Sequence, residues 1–511
     1  MLANMSGALS ELLTIDAAIG LLIGVVGGMV IGALPGLSAT MGIALLIPIT
    51  YGMRPSAAIL MLAAIYTSAV YGGSISAILI HTPGTPSSAA TCLDGYPMTQ
   101  KGEAIHAIGI STVSSVIGGV ISSFALLLIA PPLARLSLKF GASEYFLISI
   151  FGLTLIASLA GDNMVKGLIA GAFGLVVGLV GLAADGQFRY TFGITGLMGG
   201  ISLIPAMIGL FSVSQVMIQS DERGKKKEKA EVAEFKGRFI PPAKEFLGLL
   251  PIILECSIVG VFIGILPGAG GDIASWVGLN IAKNQSKHPE KFGTGIPEGI
   301  SAPEAANNAV TGGALIPLLT LGIPGSSTAA VLMGGLTIHG LAPGFELFDK
   351  YADITYCVIL GFLMANILMG LVGWAAGRYL TKVSQVPIPL LLPCIAVLSL
   401  LGSYAASRNI TDVYVAVVFG LIGYLFRKYG IPTAPVVLAL ILGPMADKYM
   451  YQGSIIASKS DLSFFQYMFT RPLSIFFMIL IIAALFAPLL SKAISSAYQK
   501  KNGTIEAAED D

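Results

Sequence analysis

The stretch IGALPG at residues 31–36 returns as IGILPG at residues 263–268. Two further pairs keep the same order along the chain: AVYGG at 69–73 with AVTGG at 309–313, and Pro83-Gly84 with Pro324-Gly325. The offsets are 232, 240 and 241 residues, so the second copy is slightly longer than the first. Paired Pro-Gly breaks inside apolar segments are typical of secondary transporters, which build a mid-membrane site from interrupted helices. The pattern therefore predicts a carrier made of two homologous repeats.

The composition is that of a membrane protein. Of 511 residues, 55% are hydrophobic and 11% are charged, whereas a soluble domain has about 25% charged residues. Apolar windows long enough to cross a hydrocarbon core of about 30 Å recur along the whole chain. Three apolar stretches are interrupted by Gly, Pro, Ser, Thr or Asn: 37–52, 56–80 and 301–337. The sequence predicts an all-α polytopic membrane protein with about 11–14 membrane segments, some of them re-entrant hairpins.

The distribution of basic residues predicts the topology. Eight of the 29 Lys and Arg residues fall between 223 and 244, and an excess of basic residues marks cytoplasmic loops. The Glu residues interleaved there favour a solvated linker over a nucleic-acid or lipid patch, so no nucleic-acid partner is expected. Lys492, Lys500 and Lys501 favour a cytoplasmic C-terminus. Because no basic residue precedes Arg54, we interpret the first apolar segment as a retained helix and not a signal peptide.

These observations divide the chain into five parts. In order, they are an N-terminal transmembrane repeat with Pro-Gly breaks (1–217), a cytoplasmic basic linker (218–244), a second repeat with Pro-Gly breaks (245–345), C-terminal transmembrane helices (346–495) and a polar tail (496–511). The number of crossings between the copies is open, and so is their relative direction. By analogy with other hairpin-containing carriers, we expect inverted repeats and an elevator-like motion. The four cysteines match no metal or redox spacing and are assigned to packing.

The breaks imply a polar centre inside the membrane. Proline ends a helix because it lacks an N–H group, and glycine then supplies the unusual backbone angles. The free N–H and C=O groups at such a break must be buried in protein or face a wet cavity. A run rich in glycine or hydroxyl groups follows each break. If each run opens a short helix, its N–H groups and positive dipole end suit a carboxylate.

These runs and their polar neighbours are the candidate substrate-binding residues. They are Gly36, Ser38, Thr40, Thr82, Gly84, Thr85, Gly268, Gly270, Gly271, Asn307, Gly325, Ser326 and Ser327. No Lys or Arg lies in 55–100 or 292–349, so a bound anion would be held by backbone N–H groups and hydroxyls. The alternative is that small residues only let helices pack closely in the membrane. The symmetric placement of four such runs favours a binding site.

Four polar residues form a candidate Na⁺ site. Thr67 and Ser68 align with Asn307 and Asn308, ahead of a Gly-Gly pair in each copy. Neutral side-chain oxygens, together with unwound backbone carbonyls, are the ligands expected for Na⁺ in discontinuous helices. Interhelical hydrogen bonding is the alternative, and the sequence leaves both interpretations open.

Two carboxylates, Glu298 and Glu304, are functional candidates because ionisable groups at membrane depth are costly. Glu304 also fits a capping box, since SAPE at 301–304 has the Ser-x-x-Glu spacing with proline in the first turn. We favour the capping interpretation for Glu304. Glu298 follows the polar stretch 283–295 and is consistent with an interfacial position.

Three further polar positions have both a structural and a functional interpretation. Asp272 falls in the first turn expected after the second LPG motif, where a carboxylate stabilises a helix N-terminus; cation coordination is the alternative. His81 precedes a Thr-Pro-Gly break, and we favour a hydrogen-bonded structural role over a proton or substrate partner. Residues 94–97 (DGYP) predict a turn, and docking of a partner there is left open.

Motifs of common enzymes are missing from the sequence. It contains no Walker-type loop, no His-Glu-x-x-His and no Gly-x-Ser-x-Gly, so ATP hydrolysis within this chain is not expected. We therefore expect a carrier and not an enzyme. The alternative is a membrane-embedded enzyme or assembly component that uses the polar centre.

The repeated motifs resemble those of the large membrane subunit of the tripartite tricarboxylate transporter family, over most of the chain. The stretches that carry the resemblance are GALPGLSAT at 32–40, GGSISAILIHTPGT at 72–85, LDGYPM at 93–98, PEAANNAVTGG at 303–313 and LGIPG at 321–325. Together these stretches are specific, whereas a single Leu-Pro-Gly carries no information.

The resemblance implies a multi-pass protein of the bacterial inner membrane that imports a carboxylate with an ion gradient, usually of Na⁺. It also implies two protein partners, a small membrane subunit and a periplasmic substrate-binding protein. The substrate would be a tri- or dicarboxylate such as citrate. Apart from Na⁺ as coupling ion, no cofactor is implied.

Overall fold

The computed structural model describes residues 2–34, 36–154, 164–221, 238–266, 268, 270–383 and 388–485. Within these ranges the chain is almost entirely helical, and its two short strands, β1 (Gly181–Leu182) and β2 (Phe188–Arg189), form an antiparallel hairpin. Several predicted features lie outside the described residues: Pro35 and Pro267 of the two LPG motifs, residues 222–237 of the linker, and the polar tail 496–511.

Twenty-one α-helices are described. They are α1 (Leu2–Leu12), α2 (Ile15–Ala33), α3 (Ala39–Leu46), α4 (Pro55–Ile80), α5 (Ala89–Gln100), α6 (Ala104–Ser137), α7 (Ala142–Thr154), α8 (Met164–Gly178), α9 (Leu203–Met207), α10 (Ser214–Asp221), α11 (Ala243–Ile265), α12 (Gly270–Gln285), α13 (Glu298–Leu321), α14 (Ser327–Ile338), α15 (Phe345–Phe348), α16 (Ala352–Val383), α17 (Ile388–Ser407), α18 (Ile410–Lys428), α19 (Ala434–Ser458), α20 (Phe464–Phe469) and α21 (Pro472–Leu485). Short 3₁₀ turns cover Ile47–Gly52, Pro86–Ser88, Thr195–Leu197 and Pro289–Lys291, and a π-helical segment, Ile208–Val213, joins α9 to α10.

Seven of the described helical segments are long and apolar enough to cross a membrane. They are Ile15–Ala33, Pro55–Ile80, Ala104–Ser137, Leu203–Asp221, Ala243–Ile265, Ala352–Ala375 and Ile410–Lys428. Shorter apolar helices, such as α3, α8 and α14, lie between them. The prediction of an all-α polytopic membrane protein is therefore confirmed.

The chain folds as two compact units. The first comprises Met1–Leu138 and Ile201–Val437 and contains both copies of the duplicated motifs, and the second comprises Lys139–Gly200 and Leu438–Asp511. In the second unit the buried Glu144 carboxylate joins α7 to the start of α21. It accepts hydrogen bonds from Arg471 Nε at 2.7 Å and Ser474 Oγ at 2.6 Å.

Two buried helices, α4 and α13, form the centre of the first unit. Nearly every side chain of both is buried, as expected for helices that are apolar or weakly polar all round. They run antiparallel where they meet: Thr67 lies beside Asn308, and Tyr71, one turn further along α4, is close to Glu304, one turn earlier on α13. The two helices that carry the duplicated polar pairs thus cross in opposite directions.

Glycines let the preceding helix approach each of these two closely. On α2, Cβ atoms built at Gly24 and Gly28 would lie 2.6 and 2.8 Å from backbone carbonyl oxygens of α4, and one at Gly32 would overlap the Ala69 oxygen. On α11, a Cβ at Gly264 would lie 2.6 Å from the carbonyl oxygen of Val310 on α13. Small residues four apart favour such close contact between membrane helices.

The segments around the LPG motifs form two helical hairpins. At the open end of the first, Arg54, just before α4, pairs with Asp16 at the start of α2 at 3.2 Å. In the second, Gln285 at the end of α12 donates to Glu255 of α11 at 2.8 Å. In both copies the chain therefore returns toward the end from which it came, as a re-entrant segment does.

The structure changes two local expectations. Gly72 contacts the Met29 carbonyl of α2, and Gly313 contacts the Val261 carbonyl of α11. These two glycines are therefore equivalent in the two copies, whereas the AVYGG–AVTGG alignment matched Gly72 with Gly312. The turn predicted at 94–97 is wrong, because these residues lie within α5. Tertiary contacts overrode local turn propensity there: Asp94 is buried and binds backbone N–H groups of residues 293–296.

Candidate functional site

All four runs that follow the breaks open helices. Ser38 caps α3 by accepting a hydrogen bond from Met41 N, and Ser326 caps α14 by accepting one from Ala329 N. The run 84–88 forms a 3₁₀ turn that leads into α5, and α12 begins at Gly270. The free N–H groups of these helix starts are therefore located at the breaks.

The first LPG run meets the second break of the other copy. Thr40 Oγ1 is hydrogen-bonded to Thr328 Oγ1 at 2.8 Å and to Ser327 Oγ at 3.3 Å. Thr328 and Ser327 are 288 and 287 residues from Thr40 in the sequence. Tyr66 of α4 adds a hydrogen bond of 2.7 Å between its hydroxyl and Ser326 Oγ. We call the residues Ser38, Thr40, Tyr66, Ser326, Ser327 and Thr328 the first hydroxyl cluster.

The second LPG run meets the break of the first copy in the corresponding way. A Cβ built at Gly271 would overlap the Asn307 amide oxygen and lie 3.1 Å from Ser87 Cβ. Behind Ser87, Thr85 Oγ1 is hydrogen-bonded to Ser87 at 3.1 Å and to Ser88 at 2.9 Å. We call Thr85, Ser87, Ser88, Gly270, Gly271 and Asn307 the second hydroxyl cluster.

Asn307 is the unsatisfied group of this arrangement. Its side chain is only 1% exposed, and neither Oδ1 nor Nδ2 has a hydrogen-bond partner among the described residues. A buried amide without partners costs free energy unless a ligand or water satisfies it. Asp272 is exposed in the first turn of α12, next to Gly271.

The four candidate Na⁺ ligands divide into two groups. Thr67 and Asn308 come together with Asn366 of α16: Asn308 Nδ2 donates to Thr67 Oγ1 at 3.1 Å and to Asn366 Oδ1 at 3.0 Å, and Thr67 donates to Asn366 Oδ1 at 2.6 Å. Ser68 instead faces α2 beside Gly28, and Asn307 belongs to the second hydroxyl cluster. Asn308 Oδ1 is buried and has no partner among the described residues.

Some predicted residues have other surroundings. Gly84 packs against the carbonyl oxygen of Gly32, and Gly325 packs against that of Gly264. These contacts fit the alternative interpretation, in which small residues let helices pack closely. Thr82 donates back to the Ile80 carbonyl. Gly36 is exposed, and Gly268 donates its N–H to the Gly325 carbonyl at 3.0 Å, which joins the second LPG run to the second break. His81 ends α4 with a left-handed backbone, and its ring lies against Tyr96.

The capping-box interpretation of Glu304 is wrong. Pro297 occupies the N-cap of α13, so Ser301 and Glu304 both lie inside the helix. Glu304 is fully buried and accepts hydrogen bonds from Thr91 of α5 at 2.5 Å and Ser115 of α6 at 3.0 Å. The motif failed because the helix begins one turn before the serine.

Three polar residues near the first LPG run were missed from the sequence. A Cβ built at Gly36 would overlap Gln219 Nε2 and lie 3.3 Å from Gln215 Nε2, both on α10. Arg427 of α18 donates a hydrogen bond to Gln215 Oε1. A basic side chain is therefore connected to Gly36 through a single glutamine. Two glutamines four apart on an apolar helix share one face, which would have been the usable sequence signal.

Comparisons with known proteins identify the family of the chain. A family model described as "Tripartite tricarboxylate transporter TctA family" matches residues 19–438. An uncharacterized 52.8 kDa protein of the TAR-I ttuC′ 3′ region of Agrobacterium vitis is 35% identical over 459 residues, which cover 89% of this chain and 91% of that protein. An uncharacterized protein of the TAR-II ttuC′ 3′ region of the same organism is 33% identical over 206 residues, 40% of this chain and 85% of that protein. No solved structure matches the chain. With a family match over most of its length, the chain belongs to the tripartite tricarboxylate transporter TctA family, a family of transporters and not of enzymes.

Proposed function

We propose that this chain is the large permease subunit of an importer that takes up tri- or dicarboxylates with an ion gradient, most simply of Na⁺. It would act in the bacterial inner membrane, with a small membrane subunit and a periplasmic substrate-binding protein as partners. Family membership supports the tripartite organisation. The substrate class and the coupling ion are argued from the residues.

The observation that carries the proposal is the pairing of breaks from opposite copies. Thr40 meets Thr328 in one cluster, and Gly271 meets Asn307 in the other. Interrupted helices from two halves of a carrier form a substrate site when their polar ends converge. The pairing brings hydroxyls, helix N-termini and an unpaired amide to the interior of a membrane protein.

The donors at these clusters suit a carboxylate. The first turns of α12 and α14 present N–H groups, and Ser327 and Asn307 add a hydroxyl and an amide N–H. Such donors stabilise negative charge without a fixed cation. Arg427, held through Gln215 near Gly36, would attract an anion toward the first LPG run.

Coupling to Na⁺ is proposed at the contact between α4 and α13. Asn308 Oδ1 is available there, next to Thr67 and Asn366. Ser68, which faces α2, is the least supported of the four predicted ligands. The antiparallel course of α4 and α13 supports inverted repeats, in which substrate and ion sites lie at the repeat interface. An elevator-like motion of this interface is the proposed transport step.

Uptake into proteoliposomes tests the function. The chain, reconstituted with its small membrane subunit, is expected to accumulate labelled citrate or a related di- or tricarboxylate when an inward Na⁺ gradient and the binding protein are both supplied. Replacing the Na⁺ gradient by a K⁺ gradient should abolish accumulation. Conversion of citrate into a product without any gradient would overturn the proposal and favour an enzyme.

The variant Asn307→Ala tests the site. At substrate concentrations well below saturation it is expected to abolish measurable uptake, because losing one hydrogen bond to a charged carboxylate costs about 1.5–3 kcal/mol, roughly tenfold to a hundredfold in affinity. Ser326→Ala should act in the same direction. Asn284→Ala, at an exposed position near the end of α12, is the matched control. Normal uptake by both variants, at normal levels of folded protein, would remove these residues from the site.

A further inference from the structure

We propose that Glu304 and the hydroxyl groups around it form a proton-binding site, and that a proton moves inward together with the carboxylate substrate. The inference rests on the proposed importer function and adds a second coupling ion to it. It concerns a cluster separate from the two hydroxyl clusters and from the proposed Na⁺ ligands.

The first argument is burial without a counter-ion. Glu304 is 0% exposed, near the middle of the first unit. Its hydrogen-bond partners are hydroxyls: Thr91 at 2.5 Å, Ser115 at 3.0 Å, Ser111 at 3.3 Å and, in addition, Ser74. No described basic side chain forms an ion pair with it. Burial without a counter-ion favours the protonated form of a carboxyl group.

The second argument comes from counting hydroxyl protons. Each hydroxyl carries one hydrogen, and Ser111 lies 2.7 Å from Ser74 Oγ as well as 3.3 Å from the carboxylate. Ser74 donates its own hydrogen to the Tyr71 carbonyl. Ser111 can therefore donate to Ser74 while its oxygen accepts a hydrogen bond from a protonated Glu304. The cluster can therefore satisfy a protonated carboxyl as well as an ionised one.

The neighbouring titratable groups do not supply the missing positive charge. Tyr71 of α4 and Cys92 of α5 lie within electrostatic range of Glu304. The other titratable side chains on helices packed against α13 are Tyr66, Asp94, Tyr96, His106, Arg135, Lys244, Glu245, Glu255, Cys256, Asp272, Lys283 and Glu346. None of these forms a described hydrogen bond with Glu304, and His106 is paired with Glu245 at 3.0 Å.

The geometry favours a proton over a metal cation. A cation of the size of Ca²⁺ or Na⁺ keeps its oxygen ligands at about 2.3–2.6 Å from itself and so holds them well apart from one another. Thr91 Oγ1 donates directly to Glu304 Oε1 at 2.5 Å, so this pair of oxygens is joined by a hydrogen and not by a cation. The proton is therefore the ion that fits this cluster.

The position on α13 links the proton site to the transport machinery. Glu304 lies one turn before Asn307 and Asn308 on the same helix. Ser115 bridges them: its hydroxyl donates to Glu304 Oε2, and its carbonyl accepts from Asn308 Nδ2 at 2.8 Å. A proton taken from external water forms an O–H bond on Glu304 before inward movement. It is released to cytoplasmic water afterwards, so the cycle returns the carboxyl to its starting state.

A pH-gradient experiment tests the coupling. The chain with its small subunit and binding protein is placed in proteoliposomes with equal Na⁺ on both sides and a clamped membrane potential. An inside-alkaline gradient of about one pH unit should raise internal labelled citrate up to about tenfold, since a tenfold proton ratio coupled one to one supports a tenfold substrate ratio. Glu304→Gln, a neutral isostere of the protonated carboxyl, should lose this response.

Glu298→Gln is the matched control, because Glu298 lies on the same helix and is partly exposed. It should respond to the pH gradient as the unmodified protein does. A Glu304→Gln protein that accumulates citrate in response to the pH gradient as well as the control would overturn the proposal.

An infrared measurement separates this inference from the importer function. The purified, reconstituted protein should show a protonated-carboxyl C=O band at neutral pH that disappears in Glu304→Gln and persists in Glu298→Gln. If Glu304→Gln does not fold, Glu304→Asp should shift the band. If neither Glu304→Gln nor Glu304→Asp changes the band, the proton site is refuted, whether or not citrate is the substrate.

Discussion

Gly27 and Gly32 lie on the same helix but have different surroundings. A Cβ at Gly32 would overlap the Ala69 carbonyl oxygen of α4, whereas one at Gly27 would meet nothing within 4 Å. Gly32→Ala is therefore expected to separate α2 from α4 and to destabilise the protein by about 1–3 kcal/mol, as overpacking does. Gly27→Ala should be neutral or slightly stabilising, because alanine favours a helix over glycine by about 1 kcal/mol.

Thermal unfolding of the two glycine variants in detergent would compare them directly. The expected result is a lower melting temperature for Gly32→Ala only. Equal melting temperatures would show that the first LPG run does not depend on close contact of α2 with α4.

Adjacent residues on α13 also show how strongly direction matters at this scale. Asn308 points toward Thr67 and Asn366, while Asn307 faces Gly271. On a helix, successive side chains are about 100° apart and do not face the same neighbour. The sequence predicted both asparagines as Na⁺ ligands and Asn307 also as a substrate-binding residue, but it could not show that they face different neighbours.

At the scale of elements, α5 is tied to the loop that leads into α13. Asp94 Oδ1 accepts hydrogen bonds from Gly293 N and Gly295 N at 2.9 Å and from Ile296 N at 3.0 Å. Both glycines have positive φ, +89° and +94°, which lets the N–H groups of residues 293, 295 and 296 converge on one anion. The carboxylate therefore joins α5 to the loop that directly precedes α13.

Replacing this carboxylate should release the loop. Asp94→Ala removes three charge-assisted hydrogen bonds, and hydrogen bonds to charged groups contribute about 1.5–3 kcal/mol each at most. Amide hydrogen exchange of residues 293–296, followed by mass spectrometry, is expected to accelerate. Glu290→Ala, at an exposed position in the same loop, should leave it unchanged. Unchanged exchange in Asp94→Ala would contradict the proposed clamp.

At the scale of the whole molecule, the ends of several elements define two opposite faces of the first unit. Lys101, Glu245, His288 and Glu298 line one pocket, so the end of α5, the start of α11 and the loop before α13 share a face. The start of α4 lies by the start of α2 through the Arg54–Asp16 pair. Because the basic linker precedes α11, the positive-inside rule predicts that the pocket face is cytoplasmic.

Cysteine labelling tests this topology. In a protein with its four cysteines replaced, Lys101→Cys should react with a membrane-impermeant maleimide only in inside-out vesicles. Gly52→Cys, at an exposed position with open space around it, should react only from the opposite side. Labelling of both positions from the same side would show that the segment from Gly52 to Lys101, which contains α4 and α5, does not cross the membrane.

Much of the fold follows from local chemistry and could be predicted. Apolar length predicts membrane helices, and proline and glycine predict where they break, because each effect depends only on neighbouring residues. The helix starts at Ser38 and Ser326 follow from the same rules. The turn at 94–97 was wrong because long-range contacts of Asp94 outweighed local turn propensity, and the capping box at 301–304 was wrong because α13 already begins at Glu298.

The sequence by itself determined the class of protein, the duplicated breaks and the helix starts that follow them. Only the tertiary structure decided which groups meet: Thr40 with Thr328, Gly271 with Asn307, and Glu304 with hydroxyls of α5 and α6. Local propensity specifies how a helix begins and ends, but not its neighbours. The neighbours depend on close contacts between helices, such as those of Gly32 and Gly264, which join residues far apart in the chain.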